Sequence, residues 1–170
     1  MKSIKHILIL FIALTTITTA FAQTTPTKAD KKKAQQDAVK ALVESQHYTF
    51  IAQYANPLGG GHRYLTSDYD LKIRKDSLIA YLPYFGRAYF DTGYGSSDNG
   101  IKFTSTKFTY KITAKKKGGW DVIIKPSDVK YMDTVNMYIS ADGYTNVQFT
   151  ITNKSAISFD GVLKDKATKK

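Results

Sequence analysis

Apolar residues recur along this chain with two periods, and the change of period separates a helix from a series of strands. Between Asp30 and Ser45 they follow at steps of three and four in a segment rich in Ala, Lys and Gln, which predicts a helix whose first half is too polar to be buried. From His47 onward, apolar and polar residues alternate, as in strands that bury one face. The alternating segments are 48–54, 69–73, 108–112, 120–124, 135–139, 147–151 and 157–159, with further strands predicted at 77–82 and 101–105.

Short turns join several of these strands. Gly118-Gly119, Asp142-Gly143 and Asn153-Lys154 contain residues that tolerate positive φ, and such tight connections imply antiparallel neighbours. The sequence therefore predicts a mainly β (α+β) fold, with one N-terminal helix followed by about nine antiparallel strands in a curled sheet, barrel or sandwich. We expect the helix to cover an open edge or face of the sheet.

The first 22 residues have the pattern of a secretory signal peptide. Lys2 and Lys5 precede the apolar run Ile7–Leu14, which threonines then interrupt, and Ala20-Phe21-Ala22 places small residues where a signal peptidase cleaves. We expect cleavage before Gln23 and export to the periplasm or the extracellular space. The chain contains no cysteine, so we expect neither lipid anchoring nor disulfides.

The remaining chain has the length of one domain. We predict a flexible linker at 23–30, a single globular β-rich domain at 31–165 and a basic tail at 166–170. The formal net charge is +11, and the lysines cluster near the start of the helix, at Lys115–Lys117 and in the tail. These clusters either solvate the chain or make a weak contact with an anionic membrane or glycan. No nucleic-acid-binding motif is present, so nucleic acid is not an expected partner.

One segment breaks the alternation. Leu82–Tyr89 combines four large apolar side chains with a proline, a glycine and one arginine, and a glycine-rich stretch follows it. We expect Arg87 to form a buried ion pair that fixes this segment, with Asp91 or Asp70 as the partner; the alternative is that Arg87 contacts a ligand. The candidate ligand-binding residues are Arg87, Tyr84, Tyr89 and Asp91.

Several motifs carry a resemblance to a known family. They are the signal peptide, the lysine-rich helix, Tyr48-Thr49-Phe50 with Asn56-Pro57, the run Leu82–Tyr89, Gly100–Phe103 and Gly119-Trp120. Over roughly residues 35–163 the chain resembles a family of exported Bacteroidota proteins known as domain of unknown function 4251. The resemblance implies an envelope or periplasmic protein and brings no activity with it.

Patterns typical of catalysis or metal binding are weak. His47 and His62 lack the clustered carboxylates of a transition-metal site, and the spacing of Asp91, Asp98 and Asn99 differs from that of a calcium loop. The stretch Gly93–Ser97 satisfies neither a nucleophile elbow nor a phosphate loop. No metal or cofactor is therefore expected.

Three classes of function remain open. The first is a non-enzymatic binding module for a small ligand, a peptide or an envelope component. The second is a hydrolase that acts on an envelope polymer, and the third is a structural or assembly factor that touches the outer membrane through its basic ends. The sequence favours the binding module, because no catalytic constellation is visible in it.

Overall fold

The computed structural model describes residues 27–87, 89, 100–116 and 118–165. The chain divides into two compact units, Met1–Lys31 and Lys32–Lys170. In the first unit, the described residues form the beginning of helix α1 (Lys28–Ser45). Thr27 caps this helix: its Oγ1 accepts a hydrogen bond from the Asp30 amide at 3.2 Å, while an Asp30 carboxylate oxygen accepts one from the Thr27 amide at 3.0 Å. This reciprocal pair is a capping box.

The predicted helix is confirmed, and it begins two residues earlier than expected. Residues 28–30, assigned to the linker from sequence, are helical because of the cap, whereas 23–26 lie outside the described residues. The helix ends where Gln46 adopts a φ of 52°, a left-handed conformation that commonly terminates helices. Among its residues Val39 and Val43 are buried, and the first half is polar and mainly exposed, as predicted.

Nine antiparallel strands follow among the described residues, which confirms the predicted fold class. They are β1 (Tyr48–Pro57), β2 (Arg63–Ile73), β3 (Leu78–Leu82), β4 (Ile101–Ser105), β5 (Phe108–Ala114), β6 (Trp120–Pro126), β7 (Met132–Ile139), β8 (Tyr144–Ile151) and β9 (Ile157–Lys164). They form one sheet in the order β4-β3-β2-β1-β9-β8-β7-β6-β5. The long-range pairing of β1 with β9 joins two runs of consecutive neighbours.

The sheet curls into a nearly closed barrel. Strands β4 and β5 occupy opposite ends of the strand order, yet only residues 106 and 107 connect them. Three Cα–Cα steps of 3.8 Å span at most about 11 Å, so the two edges approach each other at this point. Asp128, in the β6–β7 connection, holds the seam: its carboxylate accepts hydrogen bonds from the Thr106 amide at 2.8 Å, the Lys107 amide at 3.2 Å and the Ser105 hydroxyl.

These hydrogen bonds, the one from the Ser105 hydroxyl first, lower the pKa of Asp128 to about 2. A second link crosses the same seam, where the Tyr131 hydroxyl donates to the Lys102 carbonyl at 2.8 Å. Strand edges that are left open invite pairing with other chains. The β6–β7 connection therefore fastens the two edge strands at the end where they meet.

The barrel interior holds the hydrophobic core. Phe50, Phe149 and Phe159 are fully buried inside it, and Val39 and Val43 of α1 belong to the same cluster. Buried apolar area of this kind is the main stabilising contribution to a fold of this size.

A chain of hydroxyls connects α1 to the barrel. The Tyr110 hydroxyl donates to the Val43 carbonyl at 3.3 Å and lies 2.9 Å from the hydroxyl of Tyr48, which is fully buried. Burial, together with the neighbouring Tyr110, raises the pKa of Tyr48 well above its ordinary value, and burial also raises the pKa of Tyr110. The helix therefore contacts the edge strand β5 through Tyr110 and the β7–β8 turn through Asp142, which accepts hydrogen bonds from Gln35 and Gln36.

The predicted turns are confirmed, and one strand is longer than predicted. Gly118, Gly119, Gly143 and Asn153 all have positive φ. Strand β2 begins at Arg63, six residues before the alternation at 69–73. The pairing passes from Ala52–Tyr69 directly to Tyr54–Tyr64, and this irregularity removes the regular alternation from the first half of β2. Among the described residues, no helix is long and apolar enough to cross a membrane.

Candidate functional site

A row of side chains crosses the outer face of the barrel at right angles to the strands. Strand register places Tyr54 of β1 opposite Asp160 of β9, Asp160 opposite Asn146 of β8, Asn146 opposite Tyr138 of β7, and Tyr138 opposite Asp121 of β6. We call these five residues the outer row. Directly paired residues of neighbouring strands point to the same face, so the outer row forms one continuous strip.

Asp160 lies at the centre of this strip. One of its carboxylate oxygens accepts a hydrogen bond from the Asn146 side-chain amide at 2.7 Å, and the other accepts one from the Asn56 side-chain amide, also at 2.7 Å. A carboxylate offers about four lone-pair positions, so each oxygen can accept a further hydrogen bond. The two amides therefore fix the carboxylate and leave acceptor capacity facing outward.

An open groove of about 610 Å³ lies above the outer row. Its walls include Tyr54, Tyr138 and Tyr144, whose exposed fractions are 41%, 45% and 68%. Lys115, from the β5–β6 turn, also lines the groove; its Nζ lies 2.6 Å from an Asp121 carboxylate oxygen and 5.1 Å from the centre of the Tyr138 ring. The charge of Lys115 is thus balanced within the site.

A second row, parallel to the first, consists of amides and a hydroxyl. Register places Asn56 opposite Ser158, Ser158 opposite Gln148, and Gln148 opposite Asn136. A cavity of about 110 Å³ lies beside Asn56, Gln148 and Ser158. The side-chain oxygen of Asn56 is buried and has no hydrogen-bond donor among the described residues.

The part of this face that β1, β9, β8 and β7 form is poor in charge, whereas Asp121 and Lys115 lie at its β6 end. Within 51–56 of β1, 134–138 of β7, 144–150 of β8 and 158–162 of β9, Asp160 is the only ionisable acid or base apart from the tyrosines. Solvated strand faces normally alternate apolar residues with charged ones, and this chain has 25 basic residues to supply them. Amides, hydroxyls and exposed rings are instead typical of a surface that forms hydrogen bonds with a ligand.

In the segment Leu82–Tyr89, where the sequence predicted a buried ion pair of Arg87, the structure differs from the prediction. The Arg87 side chain is exposed, and none of the described residues forms an ion pair with it. The prediction of a buried ion pair is therefore wrong as to burial. The segment is fixed by its backbone instead, since the Arg87 amide donates to the Ser155 hydroxyl at 2.9 Å and the Arg87 carbonyl accepts from the Ser155 amide at 2.9 Å.

The structure describes two of the other three candidate residues of that segment, Tyr84 and Tyr89. The Tyr84 hydroxyl lies within 3.0 Å of the Arg87 carbonyl and of both Ser155 oxygens, so it serves as an anchor. Tyr89 is 61% exposed, and Asp91 lies outside the described residues, as do Asp98, Asn99 and the stretch 93–97. Asp70, the alternative partner predicted for Arg87, pairs with Lys72 instead: its Oδ2 lies 3.3 Å from the Lys72 Nζ.

His47 and His62 lie in different parts of the fold. His47 directly precedes β1, whereas His62 packs edge-on against Tyr54 with ring centres 6.4 Å apart. Among the described residues, no three metal-ligating side chains cluster. His62 therefore extends the aromatic surface beside the groove.

Sequence reasoning missed the groove because its residues come from β7, β8, β9 and the β5–β6 turn, together with β1, which is far from them along the chain. Tyr54, Asp160 and Tyr138 are widely separated along the chain, and strand order and register bring them into one row. The signal that was available is composition, since 144–150 and 158–162 read as strands whose outward positions lack lysine, arginine and glutamate.

Comparison with known proteins supports the fold and the family. The family model described as "Domain of unknown function (DUF4251)" matches residues 30–163. The crystal structure of a DUF4251 family protein from Bacteroides eggerthii DSM 20697 is similar to this chain, with a TM-score of 0.55 and 14% sequence identity over 76% of this chain and 87% of that one. A search of curated proteins finds no match. Because the family model covers most of the residues from the first helix to the last strand, the chain belongs to the DUF4251 family.

Proposed function

We propose that this protein is an exported, non-enzymatic binding module whose ligand lies in the groove above the outer row. The observation that carries the proposal is the groove of about 610 Å³, in which three exposed tyrosines surround the Asp160 carboxylate. Ligand sites are typically concave, with aromatic walls and a few fixed polar groups, and both features are present here. Export is supported by the signal-peptide pattern at residues 1–22, which lie outside the described residues.

The fixed geometry of Asp160 favours binding over catalysis. A hydrolase that cleaves glycosidic bonds needs two carboxyl groups about 5–9.5 Å apart. In the outer row, the second carboxylate is Asp121, which is three strand spacings from Asp160, or about 14 Å along the sheet at about 4.8 Å per spacing. Asp121 is also paired with Lys115. Asp160 is thus suited to accepting hydrogen bonds from a ligand.

A thermal-shift screen tests the groove as a binding site. Wild type and the double variant Tyr54→Ala/Tyr138→Ala are heated with libraries of saccharides, short peptides and small metabolites. A ligand at 100 times its Kd stabilises the folded state by about 2.7 kcal/mol, which shifts the melting temperature by several degrees. We expect at least one compound to stabilise the wild type and to have little effect on the variant. A screen in which every stabilising compound acts equally on both proteins would contradict the proposal.

A further inference from the structure

The groove is one part of a longer aromatic strip that crosses the strands. Tyr64 of β2 is paired with Tyr54 in the strand register, and their rings pack edge-on with centres 5.4 Å apart. From Tyr64 to Tyr138 the strip crosses four strand spacings, about 19 Å along the sheet. All four tyrosines of the strip are exposed: Tyr54, Tyr64, Tyr138 and Tyr144. The matching ligand is therefore elongated and makes several ring contacts in succession.

The polar groups between the rings are mainly hydrogen-bonding amides and acceptors. Asp160 accepts from two amides and retains acceptor capacity on both oxygens, and the nearby Asn56 side-chain oxygen is buried without a donor among the described residues. In the groove, the Asp160 carboxylate favours a ligand with hydroxyl donors. The rings favour a ligand with C–H faces, because the negative face of an aromatic ring attracts weakly positive hydrogens.

We propose that the groove binds a neutral oligosaccharide, laid across the strands from the Tyr138 side towards Tyr64. A sugar ring has hydroxyls around its rim and C–H groups on its faces, so a unit can stack on a tyrosine while its hydroxyls donate to Asp160. This inference rests on the proposed function and adds the chemical class of the ligand.

Two other ligand classes fit the same surface less well. One common way to bind an extended peptide is to add it as a strand to a free sheet edge. Strands β1, β9, β8 and β7 are each paired on both sides, so their backbone groups are occupied. A cationic ligand would match Asp160, but the amino group of Lys115 already occupies the position beside the Tyr138 ring, 5.1 Å from its centre.

The test uses an array of oligosaccharides in three classes, namely neutral, uronate-containing and glucosamine-containing, with monosaccharides of each class. Binding is measured on the folded protein after removal of residues 1–22, and Kd values of positive members are determined in solution. We expect neutral oligosaccharides to bind and their monosaccharides to bind at least about tenfold more weakly, because one unit contacts one ring only. Tyr138→Ala and Tyr54→Ala should each weaken binding by roughly three- to tenfold.

Tyr81→Ala is the matched control. Tyr81 is 47% exposed, close to the 45% of Tyr138, and also has a lysine amino group near its ring, that of Lys102 at 5.0 Å. It lies on β3, outside the groove, so its removal should leave the Kd unchanged. Asp160→Asn, which keeps the size of the side chain, should weaken binding. It should also lower the melting temperature, because its amide group would face the donor of Asn56 or Asn146, so its Kd is measured at a temperature at which the variant is folded.

Three outcomes would overturn the inference. They are no binding by any neutral oligosaccharide, binding confined to the charged classes, and equal loss of affinity in Tyr138→Ala and Tyr81→Ala. If the thermal-shift screen still finds a peptide or metabolite whose effect depends on Tyr54 and Tyr138, the groove remains a binding site and only the oligosaccharide is wrong. If that screen also fails, the proposed function fails with it.

Discussion

Replacing Tyr110 by phenylalanine should destabilise the fold although the ring is retained. The substitution removes the hydroxyl that donates to the Val43 carbonyl and lies 2.9 Å from the hydroxyl of Tyr48. Tyr48 is fully buried, and the remaining hydrogen-bond partner of its hydroxyl among the described residues is the Met137 sulfur at 3.9 Å, which is a weak acceptor. A buried hydroxyl left without a proper partner costs about 1–3 kcal/mol, so we expect a loss of that size.

Tyr48→Phe should cost less. In that variant the Tyr110 hydroxyl keeps its acceptor on Val43, so one ordinary hydrogen bond is lost, about 0.5–1.5 kcal/mol. The double variant removes both hydroxyls and leaves no buried donor at Tyr48. Its loss should therefore be smaller than the sum of the two single losses by at least about 0.5 kcal/mol.

Urea unfolding, followed by the fluorescence of the single tryptophan Trp120, measures all four proteins. With an m-value of about 2 kcal/mol/M, the Tyr110→Phe loss corresponds to a shift of the midpoint of about 0.5–1.5 M. Additive losses within about 0.3 kcal/mol would refute the reasoning, because independent sites behave in that way. An unchanged midpoint in Tyr110→Phe would refute it as well.

Three further predictions concern Asp128 at the seam, Gly161 of β9 and Arg87 of the segment Leu82–Tyr89. The folded-state pKa of Asp128, about 2, lies below its ordinary 3.8, so its contribution to stability is complete above about pH 4 and is lost as the pH falls towards 2. Between pH 5 and pH 3, the melting temperature of Asp128→Asn should therefore fall less than that of the wild type, and an equal fall would contradict this. Gly161→Ala should lower the free energy of unfolding in urea by about 1–3 kcal/mol, because the added methyl would overlap the Ile51 carbonyl oxygen. Gly61→Ala is the control, since nothing lies within 4 Å of its added methyl, and equal losses of stability in the two variants would refute the steric argument. Arg87→Ala should change the free energy of unfolding by no more than about 0.5 kcal/mol, because its side chain is exposed; a loss of several kcal/mol would restore the buried ion pair.

The secondary structure could be predicted because one-sided burial leaves alternation in the sequence. Residues 120–124 alternate cleanly and form the centre of β6, and the positive φ of Gly118 and Gly119 fits the turn predicted before it. The first half of β2 was missed where the register irregularity between Tyr69 and Tyr64 destroys the alternation. Local pattern thus identifies regular strands and fails at bulges.

The barrel-like closure and the groove could not be predicted from local pattern. Both depend on the pairing of β1 with β9, and neither strand shows in its own sequence which neighbour it takes. The outer row exists only once five strands are aligned in register. A shift of one residue would turn Asp160 and Tyr138 towards the core.

The error at Arg87 has a different physical cause. An arginine among aromatic residues indicates burial when side chains hold the segment in place. Here the backbone hydrogen bonds between Arg87 and Ser155, with the Tyr84 hydroxyl, perform that task. The guanidinium is consequently free to face solvent, and sequence alone does not reveal which of the two arrangements applies.

Nuclear magnetic resonance of the 15N-labelled protein can show directly whether a ligand binds in the groove above the outer row. The side-chain amide groups of Asn56 and Asn146 hold Asp160 and give their own signals, so they report on the floor of the groove. The titrant is the compound that most stabilises the wild type in the thermal-shift screen. We expect these two side-chain signals to shift on titration while the backbone signals of Arg87 and Ser155 stay in place. Shifts confined to Arg87 and Ser155, with silent signals from Asn56 and Asn146, would contradict it.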